Sequence, residues 1–205
     1  MYVELRRRYE LNEYLALALS VIVVTLVFTG WEGIITPNKF RLATAFIGVS
    51  TAFLFHELAH RAVARRFGCY ARYVISPLGL IITLLTVFTP IKIIMTGYVG
   101  IVCPPPFTFG YGYGYTDPRR LYALIAMAGP LTNIALSVIF YSLTYAPLPV
   151  TYLRMFDFAA EINAWIAFFN LIPIPPLDGS KIFTYNPLLS IFLVMVSVVL
   201  MVVVF

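Results

Sequence analysis

Charged residues are scarce in this sequence: Asp, Glu, Lys and Arg make up 11% of 205 residues, against roughly a quarter in an ordinary soluble domain. So few charges cannot cover the surface of a soluble protein of this size, which excludes a soluble enzyme. The hydrophobic share of 61% also excludes a disordered chain. The net charge of +5 comes mostly from short arginine clusters beside apolar segments, which indicates orientation in a lipid bilayer and not nucleic-acid binding. The sequence therefore predicts a membrane protein.

Cysteine is rare as well, with two residues in the whole chain. Cys69 and Cys103 are too far apart for a CxxC pair and too few for a disulfide framework. We therefore expect two unpaired thiols.

Five segments are apolar and long enough to cross the bilayer core as helices. The first follows Arg6, Arg7 and Arg8 and is not followed by a small-residue cleavage site, so we interpret it as an uncleaved signal anchor. Basic residues favour the cytoplasmic side, so these arginines and those after the second span are expected inside the cell. The five segments are 14–35, 42–63, 121–143, 158–172 and 188–205.

A sixth apolar segment, 78–102, is ambiguous because Pro90 and Lys92 interrupt it. The β-branched run 91–102 suits a strand or a re-entrant backbone. We expect this segment to enter the bilayer and return to the cytoplasmic side. The following loop is rich in proline, glycine and tyrosine, and its 110–115 part is predicted to be a flap at the mouth of the site.

The predicted fold class is an all-α polytopic membrane protein with about five transmembrane helices plus a re-entrant or β-containing segment. The whole chain, 1–205, is expected to form a single membrane-embedded domain. Its parts are a signal-anchor span (1–36), a span with a metal-binding motif (42–67), the re-entrant or strand segment (78–103), the loop (104–118), two core spans (121–143 and 158–179) and a C-terminal span (188–205).

The two histidines of the chain stand together in the motif HExxH, formed by His56, Glu57 and His60 with two intervening residues. Residues four apart share one helix face, so both imidazoles can reach one metal ion. Glu57 lies beside them, close enough to take a proton from a metal-bound water. Without such a role, two imidazoles and a carboxylate would be costly in an apolar span. The spacing predicts a zinc site.

A catalytic zinc ion needs a third protein ligand and one open position. A third histidine does not exist, so the candidates are carboxylates and the two cysteines. Asp178 is the strongest, because three prolines before it end a helix and leave unsatisfied backbone, which is tolerated at membrane depth only beside a cavity or inside protein. Asp157 and Glu161 are expected near the outer end of their span, at the wrong depth. Asp117 is the remaining acidic candidate.

Two further segments accompany HExxH: AGPLTN at 128–133 and NLIPIPPLDG at 170–179. Together the three resemble the site-2 protease family of intramembrane zinc metalloproteases, in its compact prokaryotic or archaeal form without a PDZ insertion. The resemblance implies one zinc ion per chain on His56, His60 and Asp178. It also implies Glu57 as the catalytic base and Asn133 close to the substrate.

The resemblance further implies hydrolysis of peptide bonds in transmembrane segments of membrane-protein substrates, in the cell membrane and toward its cytoplasmic side. We expect Tyr98, Val99 and Gly100 to pair with an unwound substrate as an added strand, and we group Asn170 with Asn133 as substrate-binding residues. One alternative is a zinc-binding transporter, but transporters distribute polar residues along a path. The other is a non-catalytic relative that binds membrane partners, which would have lost Glu57 or a ligand.

Overall fold

A computed structural model describes residues 12–103 and 117–205. In chain order these residues form α1 (Glu13–Ile35), α2 (Lys39–Val49), α3 (Phe55–Arg66), β1 (Tyr70–Ile75), α4 (Pro77–Leu85), β2 (Gly97–Val102), α5 (Pro118–Leu143), α6 (Val150–Leu171), α7 (Asp178–Tyr185) and α8 (Pro187–Val204). A π-helical turn, Ser50–Leu54, joins α2 to α3, and a 3-10 turn, Thr86–Phe88, extends α4. The predicted helical, polytopic fold with a β-containing segment is confirmed. The predicted 110–115 flap and the N-terminal arginines lie outside the described residues.

Polar side chains at the helix starts explain where several helices begin. An Asn, Ser or Asp side chain accepts a hydrogen bond from a backbone N–H of the first turn, which would otherwise have no partner. Proline occupies the first turn of α4, α5 and α8, where its missing N–H has no cost. The capping residues are Asn12, Asn38, Ser76, Asp117 and Asn186.

Among the described residues, four helices are long and apolar enough to cross a membrane, and they agree with four of the five expected spans. They are Glu13–Ile35, Lys39–Arg66, Pro118–Leu143 and Pro187–Val204. The fifth expected span, 158–172, falls in α6. That helix has the length of a span, but Arg154, Asp157 and Glu161 keep it outside the apolar set. A fifth membrane crossing therefore stays a prediction. The core span expected over 158–179 ends at Leu171, and Asp178 begins a separate short helix.

The two strands form an antiparallel sheet that the sequence analysis anticipated only in part. The run 91–102 was expected to suit a strand or a re-entrant backbone, and only its part 97–102 forms β2, whereas β1 was not predicted. Tyr70 pairs with Val102 and Ile75 with Gly97, so the segment between the strands leaves the sheet and comes back to it. Both ends of segment 78–102 therefore lie at the sheet, and its re-entry from one side of the membrane stays a prediction.

Side chains hold the chain reversal between the two strands. The ring of Phe88 lies 4.9 Å from that of Trp31 near the far end of α1. Lys92 Nζ then donates hydrogen bonds to backbone oxygens at the end of the α4 extension, including that of Thr89 at 2.6 Å. Trp165 Nε1 of α6 donates to the Lys92 carbonyl oxygen at 3.0 Å. The reversal thus occurs where Pro90 and Lys92 were expected to mark it.

The expectation of two unpaired thiols is wrong. Cys69 and Cys103 form a disulfide across a sequence separation of 34 residues. The reason is the sheet register: Cys69 precedes the first residue of β1, Cys103 follows the last residue of β2, and those two end residues are paired. The separation in sequence therefore gave no sign that the Cα atoms of the two cysteines are 4.2 Å apart.

The first helix is anchored to the sheet and to α3 by one carboxylate. Glu13 Oε1 accepts a hydrogen bond from Tyr73 N at 3.1 Å and pairs with Arg61 Nη1 at 2.9 Å. The Tyr73 hydroxyl contacts Ser20 Oγ at 2.9 Å. Burial of this hydroxyl, and then the nearby charge of Glu57, raises the pKa of Tyr73 above its ordinary value. The hydroxyl therefore stays protonated and holds β1 against α1.

Candidate metal centre

Three side chains meet at one point inside the bundle. His60 Nε2 lies 2.9 Å from His56 Nε2 and 2.9 Å from Asp178 Oδ2, and His56 Nε2 lies 3.3 Å from the same oxygen. Ligand atoms on a tetrahedral zinc ion, with bonds of about 2.0–2.1 Å, are about 3.4 Å apart. Two imidazole nitrogens and one carboxylate oxygen at this spacing could hold one metal ion. They form the single such group found in the described part of the chain.

The other third-ligand candidates lie elsewhere. Asp117 caps α5 by accepting from Arg119 N at 2.9 Å, and the two cysteines are bonded to each other. Asp157 and Glu161 belong to α6 and do not join the cluster.

Local structure explains how the ligand atoms are delivered. His56 and His60 are one helical turn apart on α3, and both are buried. Asp178 reaches them because the chain turns sharply after α6 and starts α7 at this residue. Gly179 makes the turn possible, since a Cβ there would lie 2.6 Å from the carbonyl oxygen of Ile172 and closer still to Leu171.

The outer nitrogen of each imidazole has a hydrogen-bond partner. The Nδ1 atom of His60 lies 2.7 Å from the carbonyl oxygen of Ile125, and that of His56 lies 2.6 Å from Asn133 Oδ1. Oxygen acceptors at these positions favour a proton on Nδ1, which leaves the Nε2 lone pair of each ring free for a metal. Such partners are the usual supports of metal-binding histidines.

Gly129 of α5 leaves room beside the cluster. A Cβ at this position would lie 2.6 Å from both Cε1 and Nε2 of His56, and it would also collide with His60 Nε2. The absence of a side chain at Gly129 therefore leaves open space beside the ring atoms that face the metal position. This space and the nitrogen and oxygen donors fit a zinc ion.

The carboxylate of Asp178 lies between Lys181 and the two histidines. Its Oδ1 atom accepts a hydrogen bond from Lys181 Nζ at 3.0 Å, while Oδ2 faces the histidines. The Lys181 ammonium group favours the ionised form of this carboxylate, which is the form that binds a metal ion.

A cavity of about 1760 Å³ opens beside the cluster. It is larger than the roughly 300–1,000 Å³ of a typical small-molecule pocket, as an extended peptide requires. Glu57 lines it, and no hydrogen-bond partner of its carboxylate lies within 12–103 or 117–205. The sheet and the turn before α7 form other walls, which include the predicted substrate-binding residues Tyr98, Val99, Gly100 and Asn170.

Asn133, which was expected to contact the substrate, lies elsewhere. Its side chain is fully buried behind His56. Both hydrogens of its amide group are engaged, with the Ala52 carbonyl oxygen at 2.7 Å and Asn163 Oδ1 at 2.9 Å. With no donor left for a substrate, Asn133 supports His56 in this structure. Val99 lines the cavity, and its partly buried side chain also packs against a buried cluster.

Sequence reasoning missed three residues at this centre: Gly129, Asn163 and Lys181. Gly129 lies inside the AGPLTN segment and Lys181 lies two residues after the NLIPIPPLDG segment, but the space beside a glycine and an ion pair depend on neighbours that no local pattern reveals. Asn163 carried a usable signal, because an amide inside an apolar helix is costly unless it is hydrogen-bonded.

Comparison with known proteins agrees with this geometry. Residues 44–149 and 147–188 match the sequence profile of Peptidase family M50. The chain is 32% identical over 183 residues to a protein of Methanocaldococcus jannaschii named "putative zinc metalloprotease", covering 88% of this chain and 87% of that one. It is 30% identical over 151 residues to the Bacillus subtilis "putative zinc metalloprotease YwhC", covering 66% of this chain and 65% of that one.

A third relative, the "putative zinc metalloprotease Rip2" of Mycolicibacterium smegmatis, is 29% identical over 134 residues, which cover 60% of this chain and 49% of the relative. No solved structure matches the chain significantly. The family match extends from the residues before HExxH to those after Asp178 and so includes the whole cluster. The chain therefore belongs to Peptidase family M50, the site-2 protease family, and is a membrane-embedded zinc metalloprotease.

Proposed function

We propose that this metalloprotease cuts peptide bonds within transmembrane segments of other membrane proteins, with His56, His60 and Asp178 as zinc ligands and Glu57 as the catalytic base. The observation that carries the proposal is the convergence of the three ligand atoms beside a large cavity inside a bundle of apolar helices. A site at this depth is suited to substrates that are themselves in the membrane.

Zinc bound here would polarise the peptide carbonyl and lower the pKa of a bound water toward 7. The protein supplies the proton acceptor. Glu57 lines the cavity beside His56 and lacks a hydrogen-bond partner among the described residues, so its carboxylate is free to take a proton from the attacking water. The same carboxyl group then returns the proton to the amine of the leaving peptide.

We propose that the substrate binds in an extended form beside β2. Within the described residues, β2 pairs with β1 on one edge, and the other edge has no strand partner. An added substrate strand would find backbone partners at Tyr98, Val99 and Gly100, while Asn170 lines the opposite part of the cavity. Extension matters, because a helical substrate hides its peptide bonds from a hydrolase.

The cytoplasmic face of the cell membrane is the proposed side of the site. Arg65 and Arg66 end α3 only six residues after His60, about 9 Å along a helix. Basic residues favour the cytoplasmic end of a span. The transporter alternative receives no support from the described residues, in which one group of three possible metal ligands is found.

The test is cleavage of a single-span membrane protein by purified wild-type and Glu57→Gln protein in detergent, with products located by mass spectrometry. The amide keeps the shape of Glu57 but cannot take a proton, so the rate should fall by at least about 10²- to 10⁴-fold while zinc remains bound. Glu161→Gln is the matched control, because it makes the same change on α6 outside the cluster, and it should leave the rate unchanged. Undiminished cleavage by Glu57→Gln, or cuts only in soluble loops, would refute the proposal.

A further inference from the structure

A chain of buried hydrogen bonds connects His56 to the backbone of α6. His56 Nδ1 meets Asn133 Oδ1 at 2.6 Å, and Asn133 Nδ2 donates to Asn163 Oδ1 at 2.9 Å. Asn163 Nδ2 in turn donates to the carbonyl oxygen of Ala159 at 2.8 Å. Both asparagine side chains are fully buried, so water cannot substitute for any member of the chain.

The donor and the acceptor of every hydrogen bond in this chain can be assigned by starting from its last member, the Ala159 carbonyl oxygen. A backbone carbonyl can only accept, so the NH₂ group of Asn163 faces Ala159 and its oxygen faces Asn133. Asn133 must then present its NH₂ group to Asn163, and the Ala52 carbonyl oxygen, also an acceptor, takes the second hydrogen at 2.7 Å. Only the oxygen of Asn133 remains for His56. His56 must therefore carry its proton on Nδ1.

We propose that Asn163 is a positioning residue of the zinc centre, which acts through Asn133 to hold His56 in the tautomer whose Nε2 lone pair faces the metal position. This inference rests on the proposed role of His56 as a zinc ligand. The residue that it adds, Asn163, lies outside both the HExxH motif and the NLIPIPPLDG segment. Without an acceptor at position 163, one hydrogen of Asn133 loses its partner. The Ala52 carbonyl oxygen alone then holds the Asn133 amide in this orientation. In the fraction of molecules in which the amide turns, its NH₂ group requires a lone pair on His56 Nδ1. The proton would move to Nε2 and block metal binding.

A neighbouring hydrogen bond allows this role to be separated from simple packing. Ser137 lies one turn after Asn133 on α5, is fully buried, and donates to the Ala160 carbonyl oxygen of α6 at 2.9 Å. It joins the same two helices but has no connection to His56. Ser137→Ala therefore removes an α5–α6 hydrogen bond without touching the chain.

The experiment uses the full-length protein in detergent micelles, labelled with ¹⁵N-histidine. The chain has two histidines, so the ring-nitrogen spectrum holds few signals. Spectra of zinc-free protein at about pH 8, where an ordinary imidazole is neutral, report which nitrogen carries the proton. Zinc affinity is measured separately by titration with a zinc chelator.

Wild type and Ser137→Ala should both show His56 protonated on Nδ1. Asn163→Leu, similar in size but without an acceptor, should show protonation of Nε2 or a mixture, with zinc affinity lower by about tenfold, at the low end of the 10- to 100-fold known for such supports. Asn163→Asp keeps an oxygen for Asn133 and should restore both readouts toward wild type.

An Asn163→Leu protein with the wild-type tautomer and wild-type zinc affinity would overturn the proposal, and so would equal losses in Ser137→Ala. Should Asn163→Leu fail to fold, the wild-type spectrum decides, because a His56 Nδ1 atom without a proton there contradicts the chain of bonds. The proposed function fails differently: zinc binding that survives His56→Ala would remove His56 as a ligand whatever its tautomer.

Discussion

Replacing Gly129 with alanine tests the zinc centre with one added methyl group. The new Cβ would lie 2.6 Å from His56 Nε2 and Cε1, whereas ordinary contacts begin near 3.4 Å. Each atom must therefore retreat by about 0.8 Å, and His60 Nε2 must retreat further. Metal–ligand distances hold to about ±0.2 Å. Because both histidines are fixed on one helix and bonded at Nδ1, the ligand set cannot close around zinc.

The expected result is a loss of bound zinc without a loss of fold. Glycine inside a helix is less favourable than alanine by roughly 0.5–1 kcal/mol, so Gly129→Ala should not lower the intrinsic stability of α5. Displacement of an active-site group by about 1 Å commonly costs about 10²-fold in rate. We expect zinc per chain to fall well below one, and cleavage to fall by about 10²-fold or more, while the helical circular dichroism stays unchanged.

The assay is elemental analysis of the purified protein, with the cleavage rate measured in parallel. Gly48→Ala is the matched control, because its Cβ would meet the flexible end of Ile162 at 3.0 Å, which can move aside. That variant should keep zinc and activity. Full zinc occupancy in Gly129→Ala would refute the inference that the metal position lies against this glycine.

Three further predictions follow from the fold and the site. Asp178→Ala should lose most of the bound zinc by elemental analysis, and full retention would transfer the third-ligand role to another residue. Replacing both Cys69 and Cys103 with serine should lower the melting temperature by roughly 5–15 °C, because closing a loop of 34 residues stabilises by about 3–4 kcal/mol; an unchanged melting temperature contradicts this. In that cysteine-free background, a cysteine at Tyr70 should react with a membrane-impermeant reagent only from the cytoplasm and one at Tyr145 only from outside; the reverse pattern overturns the proposed orientation.

The residues that meet at the metal position were all accessible from local patterns. His56 and His60 follow the helical repeat, and Asp178 follows from prolines that end a helix. The four most apolar helices were also predictable, since lipid-facing helices must be apolar on most of their surface. These features depend on residues that are close together in the sequence, so the sequence was sufficient to predict them.

The features that escaped prediction depend on residues distant in sequence. β1 has a weak pattern of its own and exists because 97–102 returns to pair with it. The Cys69–Cys103 disulfide follows from the same pairing. Asn133 was assigned to the substrate because the resemblance to the site-2 protease family implies it, but its hydrogen bonds to Ala52 and Asn163 could be seen only after the π-helical turn, α5 and α6 were packed.

The anchoring of the first helix has a consequence for the smallest protein that can work. The family match begins at residue 44, so a chain trimmed to that boundary would discard α1. It would also lose the ion pair between Glu13 and Arg61, the residue that follows His60. The surface left behind would include Val49 and Phe53, which are buried in a cluster with α1 side chains. Truncations and N-terminal fusions should therefore leave α1 intact, because the working unit is larger than the region by which relatives are recognised.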